Sequence, residues 1–243
     1  MKHLKTSLSV MVLMLAISCT KSHVEGNGQV SFSLTSNDQI ADQTKSNVSS
    51  FTQLPSTGNF TITIKDAAEA TFWTGKLSEW DETTLLPAGV YTATATYGDL
   101  EEEGFDKPFF TGTSSFTVVG EKTTAVSITV SLANTVIFIS CTDNFKNYYE
   151  DYTFSLVRDD VTIVKFVKDE TKAAFVDGYK ITLQGTVKSP TKTQTFTKDY
   201  TNLNTSTAYE VLFDASNVGG ATVTISINNT VETVELGDVE LND

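Results

Sequence analysis

Apolar and polar residues alternate one for one through most of the chain beyond residue 28. Val30-Ser31-Phe32-Ser33-Leu34 sets the pattern. Phe60–Ile64, Val90–Tyr97, Phe116–Val118, Ala125–Leu132 and Thr135–Cys141 repeat it. A period of two sends successive side chains to opposite faces of an extended backbone, so each run predicts a half-buried strand. The second half adds strands at Tyr152–Val157, Thr162–Val167, Ala173–Val176, Tyr179–Val187, Thr193–Thr197, Tyr209–Phe213, Ala221–Ile227 and Val231–Leu236. The only helix the pattern predicts is a short one over Asn144–Glu150, and the Ser/Thr/Asn/Gln-rich stretch Ser36–Gly58 predicts a long loop. Threonine fills roughly one position in six, and its β-branch suits a half-exposed pleated surface. Many short strands separated by Gly, Asn, Asp and Pro predict an all-β protein of the Greek-key sandwich type.

A weak internal repeat bears on the domain count. Ile128–Val136 (ITVSLANTV) resembles Val223–Val231 (VTISINNTV), and a Gly–Tyr strand opening precedes each, at Gly89-Val90-Tyr91 and at Gly178-Tyr179. This predicts two related sandwiches in tandem, spanning 28–132 and 133–243. The length also admits one large β domain.

Ahead of these strands lies a different kind of segment. Lys2 and Lys5 precede the apolar run Leu8–Ile17, about half of the ~20 residues that span a bilayer. The run ends in Ala16-Ile17-Ser18-Cys19, which reads as a lipoprotein box: residues 1–18 a cleavable signal, Cys19 the lipidated first residue of the mature chain, 19–27 a polar tether. Several acyl chains on Cys19 would make a stable membrane anchor.

Charge and composition then exclude several chemistries. Loss of Lys2 and Lys5 takes 17 basic residues to 15 against 30 acidic ones, about −15, which disfavours nucleic acid as a partner. Arg158 is the only arginine, so no arginine cluster can clamp phosphate. With Cys19 acylated, Cys141 is left without a disulfide partner, and its apolar run Val136–Cys141 marks it as a core thiol. The mature chain has one histidine, His23, within the tether. A Ser-His-Asp or Cys-His catalytic site and a His/Cys zinc site are excluded on that count, and no cofactor is expected.

Three features remain as candidate sites. In Leu86-Pro87-Ala88-Gly89 the proline presets a turn and Gly89 is expected to take positive φ, a structural role. Trp73, Trp80, Phe105 and Phe110 are candidate ligand-contact aromatics that could stack on a sugar ring, although large aromatics more commonly fill cores. Phe109 and Phe110 are adjacent, so a strand turns one of them outward. The acidic groups Glu101-Glu102-Glu103, Asp159-Asp160 and Asp169-Glu170 fall in predicted turns without an EF-hand spacing and read as solvated loops.

Several segments carry a resemblance. They are Gly26–Phe32, Phe60–Asp66, the Leu85–Gly98 stretch LLPAGVYTATATYG, the Gly104–Gly112 stretch GFDKPFFTG, Ser131–Val136, and Phe145 followed by Tyr148-Tyr149-Glu150-Asp151-Tyr152. Their order and spacing resemble domain-of-unknown-function family 4493, found in Bacteroidetes lipoproteins, over nearly the whole mature chain. More loosely, the layout is similar to fimbrillin-like proteins, built from two transthyretin-like sandwiches. The resemblance implies an envelope lipoprotein and supplies no catalytic residues; the expected location is the outer membrane. Fimbrillin subunits of one class mature by cleavage after an arginine, and with Arg158 as the sole arginine that route has no N-terminal site here. The expectation is therefore a lipid-anchored structural or adhesive module, an anchor or accessory rather than a shaft subunit, with a protein partner added at the edge strands Val30–Leu34 or Val231–Leu236. The alternative is a glycan-binding surface lipoprotein of a polysaccharide-utilisation system. Thr20–Glu25 holds one acid and one lysine, which leaves open the side of the membrane the protein faces.

Overall fold

The computed structural model describes residues 26–36, 41–42, 54–215, 222–227 and 230–235. The strands of the first half are β1 (Asn27–Ser36), β2 (Ala41–Asp42), β3 (Thr61–Asp66), β4 (Thr71–Lys76), β5 (Leu86–Pro87), β6 (Gly89–Tyr97), β7 (Gly104–Phe105), β8 (Phe110–Val118) and β9 (Thr123–Leu132). After them come β10 (Thr135–Cys141), α1 (Asp143–Tyr148), β11 (Asp151–Arg158), β12 (Val161–Phe166), β13 (Ala174–Val176), β14 (Lys180–Lys188), β15 (Thr193–Thr201), β16 (Thr207–Asp214), β17 (Thr222–Ile227) and β18 (Thr230–Glu235). The fold is all-β, as the alternation predicts, with one short α-helix and two single-turn 3-10 helices, Thr57–Asn59 and Leu77–Glu79, among the described residues.

The first half is one sheet in the order β4-β3-β6-β8-β9-β1-β5. It bends sharply at β8 and β9, which pair only at Phe110↔Leu132 and Thr111↔Ser131. The bend makes two layers. Ile62, Ile64, Tyr91, Ala93 and Ala95 of the antiparallel layer pack on Val30, Val126, Ile128, Val130 and Leu132 of the other, all buried. The outward positions of the first layer hold paired hydroxyls, such as Thr63–Thr74 and Thr94–Thr113, each 3.1 Å apart. Period two has therefore sorted apolar from hydroxyl side chains across the sheet.

The second half repeats these connections. A meander β12-β11-β14-β15 forms one layer, and β18-β17-β16-β10-β13-β7 the other. In both halves the opening strand pairs parallel with a late strand, β1 with β9 and β10 with β16. In both it also pairs antiparallel with a short one, β1 with β5 and β10 with β13. By this correspondence β6 matches β14, in agreement with the Gly–Tyr openings. The Ile128–Val136 and Val223–Val231 segments, by contrast, fall on non-equivalent strands, because β17 and β18 are an added hairpin. The second core gathers Phe145, Tyr149, Tyr152, Phe154, Phe166, Phe196 and Phe213. Phe154 stacks on Phe213 at 4.0 Å. Gly185 is needed beside them: a Cβ there would meet the Phe196 ring at 2.1 Å.

Contacts across the two halves are both apolar and polar: Val136, Phe138, Ala173, Phe175 and Ala208 of the second half are buried in one cluster with the first-half core. The connection after β6 reaches over and lays β7 against β13, Gly104↔Phe175 and Phe105↔Ala174. Beside it the Glu103 carboxylate accepts from both terminal nitrogens of Arg158 and from the Asp177 N–H. Arg158 also donates to the Asp177 and Lys180 carbonyls at 2.6 and 3.1 Å. Lys172 meets Asp106 at 2.6 Å, and Ser206 Oγ donates to the Leu132 carbonyl.

Some local expectations differ. Ala41–Asp42, inside the predicted loop, pairs parallel with β16 at Thr207 and Ala208. Glu103 does not belong to a solvated loop, since its side chain is 11% exposed and bound to Arg158. Leu86–Pro87 is itself a strand pairing with Gly28 and Asn27. Gly89 keeps an ordinary φ, and among the described glycines positive φ falls at Gly26, Gly98 and Gly104.

Candidate functional site

The four candidate aromatics lie in two separate cores. Trp80 is buried, and its indole N–H donates to the Val30 carbonyl at 3.0 Å. Trp73 is half-buried on β4 and meets Trp80 edge-on at 5.0 Å. Phe110 is buried against Phe60, the ring centroids 6.4 Å apart. Phe105 is half-buried on β7 and packs edge-on against Phe166 at 5.1 Å, in the second core. None of the four is exposed, and no flat face collects them. The alternation along β8 turns Phe110 inward, so the outward member expected of the Phe109–Phe110 pair is Phe109, itself only half-exposed.

The side chains that do converge are different ones. A cleft of about 260 Å³ lies between β10, the ends of β11 and β12, and the connection that follows β12. Ile139, Ser140, Cys141, Lys146, Tyr152 and Asp169 contribute to its lining. Cys141 is half-buried here and carries a free thiol. Burial pushes that thiol up to about 12, which holds it protonated and unreactive at neutral pH. The Tyr152 hydroxyl donates to Asp169 Oδ1 at 3.1 Å, and its pKa is raised, first by burial and then by the neighbouring Cys141 and Asp169. Lys168 Nζ lies 5.8 Å from the Tyr152 ring centroid. Sequence reasoning isolated Cys141 as a core residue and saw Asp169-Glu170 as a solvated pair. Their meeting depends on the path of a loop, which no periodicity encodes.

Chemistry elsewhere is sparse. Among the described residues no three His, Cys, Asp or Glu side chains cluster to hold a metal ion, and no helix is long and apolar enough to cross a membrane. Cys19, with the expected 1–18 signal and most of the expected 19–27 tether, lies outside the described residues, as does Leu236 at the end of the predicted last strand.

Folded layers of mostly antiparallel strands, with the opening strand of each half paired in parallel, define an all-β sandwich protein. The family model described as "Domain of unknown function (DUF4493)" matches residues 26–242, and the chain belongs to that family. No curated protein matches it. Among solved structures it is similar to the fimbrial anchor protein Mfa2 of Porphyromonas gingivalis, with 13% identity, 84% of this chain and 98% of that chain covered, and a TM-score of 0.48. It is also similar to a fimbrial assembly protein of Parabacteroides distasonis, with 7% identity, 73% and 90% covered, and a TM-score of 0.44.

Proposed function

We propose that this protein is a lipid-anchored cell-envelope module with a structural or adhesive role, working through its sheet edges rather than through catalysis. The observation that carries this reading is the outer edge of β1. Gln29 N–H bonds inward to Lys122 O, so the backbone groups of Val30, Phe32 and Leu34 point outward. Val30 O is taken by Trp80. Opposite Phe32 and Leu34 no described strand is paired, because β5 covers only Asn27 and Gly28. An edge of this kind is a template for a partner's strand. Two domains, 28–132 and 133–243, are part of the proposal, supported by the repeated strand connections.

Lipidation at Cys19 supplies the anchorage and an outer-membrane location. In cells expressing the full chain, Cys19→Ala should move the protein from the membrane fraction to the soluble fraction and abolish cell attachment to the same extent as gene deletion. Unchanged fractionation would dismiss the lipid anchor. Unchanged attachment and assembly after deletion would dismiss the adhesive role.

A further inference from the structure

The cleft beside Cys141 exists because a strand stops short. β13 pairs with Thr135–Ile137, and in the same register Lys172 would lie opposite Ile139 and Glu170 opposite Cys141. The chain instead leaves β10. Asp169 takes a φ of 63°, and Glu170 N–H donates to Val167 O at 3.0 Å. The Glu170 carboxylate accepts the Thr171 and Lys172 N–H groups, each at 2.9 Å. The connection thus satisfies its own backbone and holds the space open.

What lines that space is chemically mixed. Val167, exposed at the mouth, and half-buried Ile139 form an apolar wall over Phe154 and Phe166. The polar residues Ser140, Lys146, Asp169, Glu170 and Thr171 complete the lining. Tyr152 holds one Asp169 oxygen at 3.1 Å, and the other has no partner among the described residues. The volume, about 260 Å³, lies just under the usual range for small-molecule sites, about 300–1,000 Å³, and suits one ring rather than a larger ligand. Two carboxylates disfavour an anionic guest. Acceptors and donors side by side suit neighbouring hydroxyls, which both give and take hydrogen bonds.

We propose that this cleft is a sugar-binding site that takes one neutral pyranose unit, its hydroxyls bonded by Asp169, Glu170 and Lys146 and its apolar face toward Val167 and Ile139. This goes beyond the envelope role, which stands without it, and it places sugar contact away from Trp73, Trp80, Phe105 and Phe110.

The test is saturation-transfer NMR on the full chain with the methyl glycosides of glucose, galactose, mannose and N-acetylglucosamine, each at about 20 mM, above a millimolar dissociation constant. At least one should receive saturation. Asp169→Asn should weaken it about ten-fold, because a charged acceptor is lost, while the fold is kept, since asparagine tolerates positive φ. Cys141→Phe, which fills the cleft, should abolish the signal. No saturation with any of the four sugars overturns the proposal, as does a signal that a folded Asp169→Asn retains in full. A signal from a threonine-valine peptide and from none of the sugars assigns the cleft to an added strand and equally overturns it.

Discussion

Glu103 and Arg158 show how much one residue can do outside a core. The guanidinium of Arg158 is spread over a carboxylate and two carbonyls, a planar fork that lysine cannot reproduce. Removing the carboxylate leaves a half-buried cation short of its counter-charge, so Glu103→Ala should cost about 2 kcal/mol in urea unfolding. Glu102→Ala next door breaks only the exposed contact with Lys107 and should leave the unfolding midpoint unmoved. Nothing in the run Glu101-Glu102-Glu103 distinguishes its third member. Its partner is 55 residues away, and only the fold brings them together.

At the scale of elements, α1 is held by its ends and one ring. Thr142 accepts the Phe145 N–H at 3.2 Å as the N-cap and donates to Asp214 at 2.6 Å, while Phe145 is fully buried. Thr142→Ala should lower stability by about 1–2 kcal/mol, read from the urea midpoint. A loss of a few tenths would mean that Phe145 alone docks the helix. Most strands were legible from alternation, and the apolar run at Thr135–Cys141 matches β10 residue for residue. The exceptions have physical causes. β4 escaped because Thr71–Lys76 pairs across a register shift between Ile64 and Lys65, which breaks the period. β2, β5 and β7 are two residues long, too short to carry any period. The cleft was illegible for a related reason: hydrogen bonds of Glu170 to its own neighbours, rather than a hydrophobic pattern, create it.

On the scale of the whole molecule, buried protons set the upper limit of stability. Burial raises Cys141 from 9.0 to about 12 and Tyr149 from 10.0 to about 12. The folded state therefore holds protons that the unfolded chain releases earlier. Below about pH 9 both states keep them and nothing changes; between about pH 9 and 12 the unfolded state is favoured progressively. The melting temperature should fall across that window, and Cys141→Ala should delay the onset of the fall. The sandwich class was legible from strand number and turn residues, whereas the seam was not, since β7 and the Glu103–Arg158 pair join segments that no local pattern relates. The parallel pairing of β1 with β9 has a further consequence, in time rather than space. Thr35 and Thr129, bonded side by side, are separated by 94 positions. A chain made from its N-terminus exposes β1 long before β9 exists, and such distant pairings form slowly. The opening strand therefore has to wait for its β9 partner until nearly a hundred further residues have been made.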